Sequence, residues 1–204
     1  MRPFIALLAA TLIGLASRPA LAAEAPVGPD RIMGRPDAPV LVEEFASLTC
    51  SHCGRFANEV FPAFKARFID TGKVRYVLRP LLTPPQNVAA AGFLLARCAG
   101  PARYYTVIEG IFRRQEDMFR TGDARSTLIA AAAEGGVSGP AFNACLSDPA
   151  GQAALDRELE AATGRGIEST PTFFFNGVKV KAGEMTLEEI DAAYAAALKA
   201  RRKP

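Results

Sequence analysis

The chain has 204 residues, 50% of them hydrophobic and 22% charged, a length and balance that suit one globular domain or a small domain carrying an insertion. Lysines and arginines number 24 against 21 aspartates and glutamates, a formal charge of +3 with the positives scattered, which argues against a strongly electrostatic nucleic-acid binder. The single histidine, His52, excludes multi-histidine metal centres and any catalytic triad with a histidine remote from its nucleophile; Cys50, Cys53, Cys98 and Cys145 are left as the most reactive groups.

Arg2 precedes an apolar run from Phe4 to Ala16, too short to cross a hydrocarbon core of about 30 Å comfortably. Ala20-Leu21-Ala22 then supplies small residues two apart. Residues 1–22 therefore read as a secretory signal peptide, and the mature chain is expected to be soluble, exported and exposed to an oxidising compartment. After a lead rich in proline and glycine, Val40 to Ala46 is β-branched and apolar and predicts a buried strand. From Ser51 the period changes: Phe56, Val60, Phe64 and Phe68 mark one face of a helix. Pro62 predicts a kink within it, because proline removes a backbone donor and its ring crowds the preceding turn. Gly72 closes that helix, and Val74, Tyr76 and Leu78 alternate with charged residues in a second strand ended by Pro80. Cys50-Ser51-His52-Cys53 thus stands at the first strand-to-helix junction of a β-α-β unit.

No strand pattern interrupts residues 87–163. Helices are expected over Asn87 to Ala99, Tyr104 to Phe119 and Ser126 to Glu134, with Pro140 and Pro149 at first helical positions and Asp148 as a cap. Thr172 to Phe175 and Val178 to Lys181 flank Asn176-Gly177, a strong hairpin signal. Thr186-Leu187-Glu188-Glu189 has capping-box spacing, and Leu187, Ile190, Tyr194 and Leu198 form the face of a last helix. The order β-α-β, helices, β-β-α defines an α/β chain with two halves, residues 23–86 and 164–204, around a helical insert at 87–163.

The thiolate, not the thiol, attacks disulfides, and a free cysteine ionises only near about 8.5. At the first position of a helix, Cys50 faces unpaired backbone N–H groups and the positive end of the helix dipole, and a protonated His52 adds to both. These influences place Cys50 in the roughly 3.5–7.5 range of reactive cysteines, while Cys53, one turn on, stays protonated. Cys50 is accordingly the expected nucleophile and Cys53 the resolving thiol. Stabilising the Cys50 thiolate stabilises the reduced protein, so the disulfide form is expected to act as an oxidant. Cys98 and Cys145 fall in two helices of the insert and lack such a setting; a structural disulfide is expected, with free thiols as the alternative.

The Cys50-Ser51-His52-Cys53 motif at a helix start, the Ser169-Thr170-Pro171-Thr172-Phe173 segment before a hairpin and the intervening helical block resemble the DsbA-type thioredoxin-fold oxidoreductases over nearly the whole mature chain. The resemblance implies a thioredoxin-like fold with an inserted α-helical subdomain and a protein dithiol-disulfide oxidoreductase that needs no cofactor and no metal. It also implies that Thr170 and a cis Pro171 lie against Cys50, where the Thr170 backbone can pair with a client peptide. Glu44 matches the family's buried acid, which takes the resolving thiol's proton through water; a solvent-facing glutamate on an edge strand is the other reading. The implied partners are exported proteins with reduced cysteines and a quinone-linked membrane reoxidant of the DsbB kind. The implied location is the periplasm. With no N-terminal dimerisation segment, a monomer is expected. Two other functions stay open. A disulfide isomerase or reductase kept reduced by a membrane donor would also suit Thr170 before the proline. A metal chaperone using Cys50 and Cys53 would lack a nearby third soft ligand other than His52.

Overall fold

The computed structural model describes residues 31–201, so the signal-peptide reading of residues 1–22 lies outside the described residues. Val40–Ala46 forms strand β1, and Val74–Pro80 forms β2 parallel to it, with Val40 opposite Val74 and Ala46 opposite Pro80. A parallel pair needs a crossover, here supplied by the helical stretch between them. On its other side β1 pairs antiparallel with β3 (Thr172–Phe175), which turns through Asn176 (φ 47°) and Gly177 (φ 79°) into the antiparallel β4 (Val178–Ala182). Both turn residues adopt the left-handed conformation that a tight two-residue hairpin requires. The sheet order is β2-β1-β3-β4. β1 is therefore central, which removes the edge-strand reading of Glu44: this residue is only 2% exposed.

The crossover begins as α1 (Ser51–Arg55), widens into a π-helical turn over Phe56–Val60, tightens as α2 (Phe61–Phe64) and widens again over Lys65–Ile69. Pro62 has no N–H to return to Asn58, and in place of a single kink the helix relaxes into wide turns on both sides. The extra residue in the first of these turns moves the apolar stripe. Phe56, Phe61, Phe64 and Phe68 are buried, whereas Val60, expected in that stripe, is only partly covered. Phe56 and Phe61 meet edge to face with centroids 6.3 Å apart. Burying each such ring is worth about 1.5–3 kcal/mol.

These rings cover one sheet face, against Val40, Val42, Tyr76, Phe173 and Phe175. The last helix, α8, spans Leu187–Arg201, and its Tyr194 ring lies 5.1 Å from Phe68. The first four helices of the insert are α3 (Gln86–Cys98), α4 (Tyr104–Thr121), α5 (Ala124–Glu134) and α6 (Pro140–Leu146). α5 starts before the expected Ser126 because Asp123 caps it, its carboxylate accepting from the Ser126 N–H at 3.0 Å. Cys98 and Cys145 are joined, Cα atoms 5.8 Å apart, tying the end of α3 to α6 across 47 residues. α7 (Pro149–Gly164), capped by Asp148, leads back to the other sheet face, where Ala162 and Ile167 pack on Phe45 and Phe174. There Arg165 stacks 4.5 Å from the Phe174 ring and, with Arg79, bonds the Glu43 carboxylate.

Candidate active site

Beyond β1 the chain bends through Ser47–Thr49, where the buried Ser47 hydroxyl accepts from the Thr83 N–H at 3.0 Å and the Thr49 hydroxyl donates to the Thr83 carbonyl at 2.6 Å. These bonds hold the approach to Cys50, whose own N–H reaches the Ser47 carbonyl at 3.1 Å. Cys50 is the N-cap of α1, with extended backbone (φ −89°, ψ 118°), rather than its first helical residue. Its carbonyl accepts from the Gly54 N–H and from Gln115 Nε2, each at 3.1 Å. Gln115 belongs to α4 of the insert, is 4% exposed, and donates also to the Leu48 carbonyl at 2.8 Å.

The two free sulfurs ionise in opposite senses. Cys50 keeps 8% of its surface and Cys53 none. The Cys53 thiol, hydrogen-bonded to it, lowers Cys50 to about 5 against the cost of partial burial, helped by Thr170 and by the backbone N–H groups of Cys53 and His52. Burial pushes the Cys53 thiol far up, and its bond to Cys50 and the nearby Glu44 push it further. Glu44 itself is driven up to about 8, first by burial; Tyr76 Oη, donating to Glu44 Oε2 at 2.6 Å, opposes that shift.

The Thr170–Pro171 peptide is cis, and Cys50 Sγ lies 3.4 Å from the Thr170 carbonyl oxygen. Thr170 is thus beside Cys50. The Pro171 carbonyl accepts from the Gly183 N–H at 2.7 Å, which anchors the segment to the end of β4. His52 presents its backbone to Cys50 while its ring turns outward to Glu184, in the loop after β4; Arg55 Nη2 donates to the same Glu184 oxygen at 2.5 Å. The ring of His52 is therefore engaged by a carboxylate, and its expected partner role toward Cys50 is shared with a clamp the motif does not contain.

Gln115, Tyr76, Arg55 and Glu184 were not visible as site residues from spacing alone. Gln115 carried one signal: it sits in the apolar stripe Ile108, Ile111, Met118 of its helix, where an amide has no reason to be unless something there needs it.

Residues 27–194 match the protein family described as Thioredoxin. The crystal structure of alpha-DsbA1 from Wolbachia pipientis is similar, with 29% identity and a TM-score of 0.73 over 87% of this chain and 96% of that one. The chain belongs to the thioredoxin family and is of the DsbA type. Among curated sequences, a Rickettsia conorii protein named as a protein-disulfide oxidoreductase is 30% identical over 85% of this DsbA-type chain. A Rickettsia typhi protein of the same designation is 31% identical over 74%. The chain spans 62% and 56% of the length of these two relatives. In DsbA-type terms, the crossover helix carries the sulfurs, the cis proline faces them, and the insert supplies Gln115.

Proposed function

We propose that this DsbA-type chain is an exported thiol-disulfide oxidoreductase that donates a Cys50–Cys53 disulfide to reduced cysteines of proteins folding outside the cytoplasm, with residues 1–22 as its export signal. The carrying observation is the opposed ionisation of adjacent sulfurs, a reachable Cys50 held at about 5 and a sealed Cys53 held well above the ordinary thiol value. A client thiolate attacks Cys50 Sγ of the disulfide, and Cys53 departs as a thiolate that takes the proton of Glu44. A second client thiolate then attacks the client sulfur of the mixed disulfide. Cys50 leaves readily because its thiolate is stabilised. The client gains a disulfide, and two electrons remain on the pair as Cys50 thiolate and Cys53 thiol.

The exposed side of Thr170 accepts the client backbone as an added strand while the sulfurs react. Residues 23–86 and 164–204 carry this chemistry, and the insert at 87–163 braces it through Gln115. The chain acts as a monomer in the periplasm, and a quinone-linked membrane protein of the DsbB kind restores its disulfide. The names of the Rickettsia relatives support the oxidoreductase reading.

The test is equilibration of the purified protein with glutathione buffers, together with oxidation of a reduced dithiol peptide. A potential well above the roughly −270 mV of a reducing thioredoxin, with turnover lost in Cys50→Ser, is expected. A strongly reducing potential with an unshifted Cys50 would overturn the oxidant role.

A further inference from the structure

We propose that the opening at the π-helical turn Phe56–Val60, with Glu109 of α4 on its wall, is the route by which protons reach and leave the buried Glu44. The inference rests on the exchange chemistry above, which makes Glu44 change charge in every turnover. A carboxylate that is 2% exposed cannot trade protons with bulk water directly, so a carrier is required.

Two neighbouring spaces that share part of their walls supply the path. A cavity of about 20 Å³ touches Glu44 and is lined also by Ala57, Phe61, Tyr76, Tyr105 and Glu109. That volume admits one water molecule. Beside it lies a cleft of about 240 Å³, walled by Asn58, Pro62, Lys65, Arg113 and, again, Glu109. Ala57, Phe61, Glu109 and Phe112 border both spaces, and Glu109 is the one titratable group among these four. The helix is open here for a local reason. Pro62 deprives the Asn58 carbonyl of its usual donor, the turn before it widens, and Ala57 presents only a methyl group to the gap.

Glu109 is suited to be the carrier. Among the described residues no hydrogen bond or ion pair holds it, since Lys65 is taken by Asp70 at 2.7 Å and Arg113 by Glu134 at 2.6 Å. Burial raises its carboxyl above the usual range, and Arg113 and Lys65 only partly oppose that. Glu44 at the inner end faces Tyr76 and feels Cys50. After the Cys53 thiolate has taken the Glu44 proton, protonated Glu109 gives a proton to one water in the inner cavity, and that water gives one to the Glu44 carboxylate. Glu109 then recovers a proton from bulk solvent through the cleft. Reoxidation runs the transfer outward. Only O–H and S–H bonds change, and no electrons move along this path.

The decisive variants are Glu109→Gln, which keeps the shape and loses the proton, and Glu109→Asp, which keeps the acid. In stopped-flow oxidation of a reduced dithiol peptide, Glu109→Gln is expected to slow the proton-coupled step about 100-fold, at the lower edge of general acid-base contributions. Glu109→Asp should retain most of the rate, and added acetate or imidazole should rescue Glu109→Gln. The Cys50 alkylation midpoint and the equilibrium with glutathione should stay at their parent values. A second arm does not need exchange activity: infrared detection of the Glu44 carboxyl after a pH jump, assigned by its loss in Glu44→Gln, should be slowed in Glu109→Gln. If the parent protein fails to oxidise the peptide, the exchange reading fails while this arm still decides the path. Parent kinetics of Glu44 protonation in Glu109→Gln would overturn the route.

Discussion

Gly54 stands where an added Cβ would fall 2.2 Å from Gln115 Oε1. The amide cannot simply swing away, because its Nε2 serves the carbonyls of both Leu48 and Cys50 inside the protein. Glycine after Cys53 is thus the space through which the insert grips the active-site turn. Gly54→Ala is expected to cost about 1–3 kcal/mol, the usual price of overpacking. Gln115→Ala should cost a similar about 1–3 kcal/mol by orphaning buried carbonyls. The double variant should lose less than the sum, since both changes break one contact. Urea denaturation of the three variants checks this, and strict additivity would show the two residues to be independent.

The ionisation of Cys50 gives a pH prediction. In the reduced protein its alkylation rate should rise through a midpoint near 5, with Cys53 inert across the same range. Because the Cys53 thiol is the largest cause of that low value, Cys53→Ala should move the midpoint upward. The linkage runs with it. A thiol at about 5 when folded and about 8.5 when unfolded adds stability that is complete above the unfolded value and lost as pH falls through 5. Comparing reduced parent with Cys50→Ala by thermal unfolding should show this increment growing from pH 5 upward.

What could be read in advance was what short spans of chain decide. The β-branched run Val40–Ala46, the Asn176-Gly177 turn and the Asp148 cap depend on neighbours in sequence, and each stands where its residues imply. The displacement of the stripe from Val60 to Phe61 was not legible, because Pro62 announces a broken helix without saying that the break takes the form of wide turns. Whether Glu44 faced water or core was undecidable from alternation, since the neighbours of β1 come from residues far along the chain. The Cys50 and Cys53 pair was visible as a motif. Its partners Gln115 and Glu184 were not, for each arrives from an element whose docking nothing local reports.

The bridge between Cys98 and Cys145 closes a span of 47 residues that contains neither Cys50 nor Cys53. Constraining the unfolded chain over such a loop is worth roughly 4 kcal/mol in the chain-entropy account, with real cases often lower. Cys98→Ala with Cys145→Ala should therefore lower the melting temperature while oxidation of a dithiol peptide proceeds at the parent rate. A matching loss of turnover at temperatures where the variant is folded would mean that the bridge also shapes the site.

Glu184 neutralises the Arg55 charge at the mouth of the site and also holds the His52 ring. Burial works against its ionised form, but these two partners outweigh that and keep its carboxyl below the usual range. Glu184→Gln removes a negative charge near Cys50 and leaves Arg55 unpaired beside it. The Cys50 midpoint should then fall by about 0.5 pH unit, as expected for one charge several ångströms away in a wet environment. The potential against glutathione should become more oxidising, because the reduced form gains the stabilisation. An upward shift would mean that Glu184 acts by orienting Arg55 and His52 toward the thiolate, not by cancelling the charge of Arg55.

Glu44 sets an opposite trend in the oxidised protein, where neither active-site sulfur titrates. With both sulfurs free its carboxyl ionises at about 8; in the disulfide form the push from the Cys50 charge is gone, but burial, the largest cause, still outweighs the Tyr76 hydroxyl and holds the carboxyl above the roughly 4.3 of an unfolded chain. The folded state therefore holds a proton that the unfolded state has released across that interval. The stability so contributed is complete below the unfolded value and is lost as pH rises from there through the raised folded value, at up to about 1.4 kcal/mol per pH unit. Glu44→Gln keeps an oxygen to accept from Tyr76 and has nothing to ionise. Oxidised parent and variant should have similar stabilities near pH 4 and diverge above it, with the variant the more stable at pH 8. Every other titrating group is common to both proteins, so their difference in urea midpoint isolates this carboxyl. A difference that stayed constant from pH 4 to 8 would mean that Glu44 is ionised in the folded protein throughout, and a charged carboxylate could not then hand a proton to Cys53.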